Sequence, residues 1–407
     1  MKKIIKTLLF IKIFSKKLFK LSIYFLSSIK QINLSKQIKM ILIFSFCLIF
    51  IFFFSKIENF MPQKIVESIQ DTIASMGNGS GFPIKVTGSR INCKNFKILN
   101  KDILVLSDTS LVCYNKTAKK ILNKPHGFES PVLKCAGNKA LIYNLHGSDY
   151  KIETKCANIL TNNLTENIIS GDICESGKYA FATEGKECLS KLVIFSEKMN
   201  EIFTYYFSDC YVNNIALSNN GNLAAVSGVC SEKGKFKSLI YVFEMTLEKE
   251  KFKFECDDTI FLDISFLSDK KLVAVGDKKT LFINTSLGEQ KDFDYEDKPL
   301  TSFDINSKAG VILSLANKSD FTECNILKLN NKGEIITSIQ SQMNVFALSH
   351  NDEVIALLGD GKFNVYSKLG KIICSSSIDR DIKRVQLLSS RSAYILGTCN
   401  IGLLDFN

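Results

Sequence analysis

The residues of this chain best equipped for chemistry are thirteen cysteines, three histidines and several aspartates that recur in short turns. The histidines (His126, His146, His350) lie far apart in sequence and no C-x-x-C pair occurs, so zinc-ligand spacing is absent and no metal site is expected. A nucleophile elbow (G-x-S-x-G), an H-E-x-x-H helix and a phosphate loop ending in Lys-Ser/Thr are all missing. The glycine run of residues 77–81 has no strand before it and no Lys-Ser after it, so it reads as a connector. No cofactor is implied, and the absence of Trp argues against quinone-dependent propeller dehydrogenases. Paired carboxylates for hydrolysis stay open, because such a pair can be assembled from distant segments without leaving a local trace.

The elements that would position these residues come from a repeat. Residues 170–183, 215–228, 264–277, 303–316, 346–359 and 385–398 each read as a short apolar strand, a polar turn and a second apolar strand. Their starts are separated by 45, 49, 39, 43 and 39 residues. A third strand follows most of them, as in SLIYVFE or TLFINTS, and often a fourth, as in KIICSSS. Four short strands in roughly 40–45 residues make one propeller blade, which needs neighbours on both faces to bury itself. Fainter units at residues 95–123 and 131–162 raise the count to eight. The last unit, residues 383–406, has only three strands, so residues 82–88 (FPIKVTG) are expected to supply its fourth and close the ring. The expected fold is therefore an all-β propeller of eight four-stranded blades over residues 82–407, or seven if the first and last units merge. The repeat is WD-like in length but lacks the Gly-His and Trp-Asp pairs.

On such a scaffold, Asp108, Asp149, Asp277 and Asp360 fall in hairpins between second and third strands. They are binding candidates, as an acidic rim for a cation or an amine-bearing ligand. The competing explanation is that Asp and Gly simply make tight turns. Cys210 and Cys230 are a disulfide candidate. A hairpin centred on Asn220 sets them opposite one another, although buried reduced thiols are equally at home in strands.

The first 81 residues differ in kind. Residues 40–55, MILIFSFCLIFIFFFS, form an uncharged run of sixteen between Lys39 and Lys56. As a helix it covers about 24 Å, short of a ~30 Å hydrocarbon core by an amount that flanking lysines and local thinning can absorb. A transmembrane helix is expected over residues 39–57. The ten lysines and absence of Asp or Glu in residues 1–39 place that side in the cytoplasm and the propeller outside. An n-region of nearly forty residues and the lack of a small-x-small site favour an uncleaved signal anchor over a signal peptide. The basic arm, residues 1–38, fits an amphipathic helix on anionic lipid or a disordered tail. Residues 58–81 make a stalk and linker, with Ile65, Ile69 and Ile73 on one helical face. Of the net charge of +11, residues 1–39 carry +10, so the nearly neutral remainder gives no reason to expect nucleic-acid binding.

The anchor, GNGSGFPIKV (residues 77–86), DILVLSDTSLVCYN (102–115), GFESPVL (127–133) and IYNLHGSDYKI (142–152) together resemble a family of uncharacterised propeller proteins. These are single-pass membrane proteins of low-GC Gram-positive bacteria that carry a domain of unknown function. The resemblance implies the same topology and supplies no catalytic residues. The expectation is an extracytoplasmic binding or scaffolding module for a protein, peptide or envelope polymer. The alternative is an envelope hydrolase or lyase with carboxylates around the channel.

Overall fold

The computed structural model describes residues 63–407, except 87, 89, 90, 318–321, 399 and 407. Eight four-stranded antiparallel sheets make up the described chain from residue 84 onward. Blade 1 runs Ile91–Leu99, Asp102–Ser107, Ser110–Tyr114 and Lys120–Pro125. Blade 2 is Pro131–Ala136, Lys139–Asn144, Asp149–Glu153 and Asn158–Asn163. Blade 3 spans Ile168–Ile173 to Glu201–Phe207, blade 4 Tyr211–Leu217 to Glu250–Asp257, and blade 5 Phe261–Ser268 to Glu289–Asp294. Blade 6 spans Leu300–Asn306 to Ile335–Ser341, and blade 7 Ala347–His350 to Ile372–Ser377.

Blade 8 closes the ring as the repeat predicts. Arg384–Leu387, Ser392–Leu396 and Asn400–Asp405 receive Ile84–Lys85 as their fourth strand, with Ile84 opposite Ile401 and Lys85 opposite Asn400. The propeller's first and last strands in chain order thus share one sheet, and eight blades stand where seven was the alternative.

The physical reason for the ring lies in the second strands. Asp102–Ser107, Gly310–Ala316 and Val354–Gly359 are buried at every residue, because each is covered by a neighbouring blade on both faces. Sequences such as VILSLA and VIALLG therefore lack the apolar–polar alternation of a half-exposed strand. The fourth strands are the outer edge and turn polar, as in Glu289–Asp294, of which five of six residues are exposed. Each of the eight seams between blades holds its own apolar cluster, including the closing seam, where Phe96, Ile103 and Val105 of blade 1 meet Tyr394, Leu396 and Ile401 of blade 8. Aromatic ladders do the filling that Trp does elsewhere. Tyr179 stacks on Phe195 at 5.0 Å, and Tyr205 leans on Phe243 at 4.7 Å.

Because strand direction alternates, the 2–3 hairpins and the links to the next blade open on one face, here called upper. The 1–2 and 3–4 turns open on the lower face.

A helix occupies Gln63–Ala74, within the stretch expected to be helical. It is one short helix, and Ile73 of the expected apolar stripe is 61% exposed while Asp71 is buried. The segment is fixed by polar contacts instead. Asn100 donates to Asp71 at 3.2 Å, Ser75 donates to Asp102, and Asn115 donates to the carbonyls of Ser75 and Gly77 at 3.0 and 2.9 Å. The glycine connector is likewise seated on blade 1: a Cβ at Gly79 would stand 2.2 Å from the Lys119 backbone nitrogen. The expected transmembrane segment and basic arm lie outside the described residues. Among the described residues, no helix is long and apolar enough to cross a membrane.

Candidate functional site: the axial channel

The first strands of successive blades are neighbours around the axis. They carry charge inside otherwise apolar runs: Lys97 on blade 1, Lys134 on blade 2, Asp172 on blade 3, Asp263 on blade 5, Asp304 on blade 6 and Arg384 on blade 8. The cations cluster on blades 8, 1 and 2, and the carboxylates face them from blades 3, 5 and 6. Three positive and three negative groups leave the set formally neutral.

Their titration reflects this segregation. Burial, together with Lys134 and Arg384, holds the Lys97 ammonium below its ordinary range. Burial also opposes charge on Lys134, but Asp263 and Asp172 outweigh it and push that lysine up. The Asp172 carboxyl is raised by burial, against the pull of Lys134 and of the Leu217 amide, which donates to it at 2.8 Å. Asp304 is also buried, yet it is held low by His350, whose backbone N–H and Nδ1 both lie 3.1 Å from its Oδ2, and by Arg384.

Much of this polar lining welds one blade to the next. Asp172 ties blade 3 to blade 4, and Asp304 ties blade 6 to blade 7. Asn95 accepts from the Leu133 amide at 2.9 Å, Asn213 donates to the Phe261 carbonyl at 2.9 Å, and Ser349 accepts from the Leu387 amide at 3.1 Å. On the described first strands, three buried side-chain atoms have no hydrogen-bond partner: His350 Nε2, Arg384 Nε and Gln386 Oε1. Asp304 and His350 form an acid–imidazole pair, but the His350 side chain has no exposed surface, so its free nitrogen meets no solvent or substrate in this arrangement. Among the described residues, no group of three His, Cys, Asp or Glu side chains could hold a metal ion.

The four hairpin aspartates lie at the 2–3 connections, on the upper face as expected, but they do not form one constellation. Asp277 accepts from the Ile260 amide at 2.8 Å, and Asp360 from the Asn344 amide at 2.9 Å. Each braces the link that leads into its own blade. Asp149 is exposed at the start of a strand, and Asp108 is half-buried beside Gly88. The channel residues escaped sequence reasoning because they come from six different repeats. The available signal was a lone charge within an apolar first strand, as in FDINS or SGDIC.

Cys210 and Cys230 stand as free thiols. Tyr211 pairs with Val229 and Val212 with Gly228, so the expected register holds at the open end of the hairpin, and a bulge between Val212 and Asn214 shifts it by one nearer the turn. Cys210 Sγ lies over Gly228, where a Cβ would approach it to 2.6 Å, while Cys230 Sγ points to the Lys237 carbonyl at 3.5 Å. Burial pushes the Cys210 thiol up to about 12, and burial also raises Cys230.

Eight closed blades around a self-neutralised channel define this protein as a β-propeller. The chain belongs to a family of unknown function, DUF5711, which matches residues 84–400. No curated protein matches it. Among solved structures it is similar to BamB from Moraxella catarrhalis, with a TM-score of 0.51 and 12% identity over 80% of this chain and 100% of that one. It is also similar to the C-terminal WD40 domain of Sif2, with a TM-score of 0.55 and 14% identity over 79% of this chain and 96% of that one. At such identities the likeness is one of fold.

Proposed function

We propose that this protein is a membrane-anchored, extracytoplasmic propeller that binds or scaffolds a protein or peptide through its upper face. The anchor is residues 40–55, and the setting is the envelope of a low-GC Gram-positive cell, as the family resemblance implies. The observation that carries the reading is that, among the described residues, the exposed aromatics lie on the upper face. Residues 75–79, through which the chain continues toward the anchor, are held on the lower face at blade 1. On the upper face, blades 3 to 5 leave apolar side chains in the open: Tyr206 and Tyr211 at 63%, Phe236 at 65%, with Ile260 and Leu262 beside the next link. Blade 4 projects there, since its middle strands Leu223–Glu232 and Lys235–Glu244 are ten residues long where most others have five to seven. Ser231 faces Phe236 across that hairpin, two residues on from Val229, which pairs with Tyr211. Exposed aromatics on and beside one projecting hairpin are the usual anchors of a protein contact.

The test is site-specific photocrosslinking of the full chain in its native membrane. Discrete adducts are expected from probes at Tyr211 and Phe236, and none from Leu287 in a lower-face turn. Adducts confined to Leu287, or none at all, overturn the reading. Turnover of an envelope glycan that is lost in Asp172→Asn replaces it with an enzymatic one. Protease added to intact, wall-stripped cells is expected to cut the propeller and spare the lysine arm.

A further inference from the structure

Between blades 6 and 7 the lower face opens into a cleft of about 480 Å³. Four 1–2 and 3–4 turns frame it, and they bring Lys308, Lys328, Lys332 and Lys368 together against one carboxylate, Asp352. None of these lysines makes an ion pair, whereas Lys237, Lys253 and Lys278 elsewhere on the propeller each do. Lys328 is 3% exposed, and its Nζ donates to the Asn351 carbonyl at 2.7 Å, which leaves further N–H groups for a ligand. Ile336, 53% exposed, and Leu369, 76% exposed, form an apolar lip.

We propose that this cleft binds the phosphoryl group of an anionic ligand that also carries an apolar or glycerol-like portion. A formal charge of +3 concentrated in a ligand-sized concavity calls for a polyvalent anion. The charge favours phosphoryl over a lone carboxylate. A phosphoryl group gathers about −1.5 to −2 of charge on three acceptor oxygens at one centre, which several ammonium point charges can share. Lys328 agrees with this assignment: burial, with Lys368, holds its ammonium below the ordinary lysine range against the pull of Asp352, and an anion beside it reverses that shift. The two sources of such a group are a soluble phosphate ester and an anionic phospholipid headgroup. The apolar lip suits the second, a point that rests on the membrane anchoring proposed above. The cleft itself does not.

The experiment uses the full chain in detergent, with two arms. Titration with sn-glycerol 3-phosphate, followed by calorimetry, is expected to show saturable binding that weakens about tenfold in Lys332→Gln and again in Lys368→Gln. Native mass spectrometry is expected to show retention of phosphatidylglycerol over phosphatidylcholine, lost in the same variants. Binding in the first arm alone assigns a soluble ester, and binding in the second alone assigns the headgroup. Absence of both, or binding equal in wild type and the two variants, overturns the proposal. The two exposed lysines serve because Lys328→Gln risks the fold. The upper-face crosslinks are read independently, so either proposal can fail alone.

Discussion

Replacing Lys155 with Met tests whether the lower face of blades 1 and 2 is a built latch. Lys155 Nζ lies 2.6 Å from Asp102 Oδ2, and the two side chains keep only 1% and 6% of their surface. The substitution leaves the Asp102 carboxylate with the Ser75 hydroxyl as its hydrogen-bond donor. Removing one member of a buried pair costs about 3–5 kcal/mol. A loss of about 3–4 kcal/mol, the lower part of that range, is expected. For a propeller of this size, with m of about 3 kcal/mol/M in urea, the unfolding midpoint falls by roughly 1 M. Far-UV circular dichroism or tyrosine fluorescence reads the transition, since the chain has no Trp. Asp102→Leu combined with Lys155→Met is expected to recover most of the loss, because the charge is no longer stranded. A midpoint shift under about 0.3 M refutes burial of the pair.

Two other outcomes are expected. Asp304→Asn lowers stability at pH 7 by about 1.5–3 kcal/mol, the worth of hydrogen bonds to a charged group. Because the folded Asp304 carboxyl sits below its ordinary value, its contribution is complete above about pH 4 and disappears as pH falls through that depressed value, so urea midpoints of variant and wild type converge on acidification. A difference independent of pH refutes the assignment. Peptide mapping of air-oxidised chain without reductant is expected to recover Cys210 and Cys230 as separate thiols, alkylated slowly until the protein unfolds, and a linked peptide overturns this.

The architecture was legible because the blade is a local object. Each repeat carries its own apolar–turn–apolar signature within some 40 residues, and sealing of each second strand between neighbours removes alternation just where the sequence lacks it, as in VIALLG. Even closure could be read, since a three-stranded last unit demands a fourth strand and only residues 82–88 lay unassigned. The docking of the segment after Gln63–Ala74 was not legible. The isoleucine stripe gave an amphipathic helix and no docking partner, whereas the contact rests on Asp71 with Asn100, on Ser75 with Asp102 and Lys155, and on Asn115 with the Ser75 and Gly77 carbonyls, pairs up to 80 residues apart.

The channel was illegible for the complementary reason. A propeller assembles its axis from one or two residues per blade, so Lys134 and Asp263 are coupled across the ring although 129 positions separate them in the chain. Spacing within a motif cannot encode such a pair; only the charge that each strand tolerates can. A lone Asp in an apolar strand is costly unless something satisfies it, which makes Asp172, Asp263 and Asp304 informative once a ring is assumed. Their satisfaction then decides what the channel does. Asp172 and Asp304 accept amides from the next blade, Asp263 accepts the Ile264 amide at 3.0 Å, and the opposed lysines balance the charge. Carboxylates so occupied are poorly placed to act on a substrate, which is why binding is proposed elsewhere, at the exposed aromatics beside the blade 4 hairpin and at the lysines between blades 6 and 7.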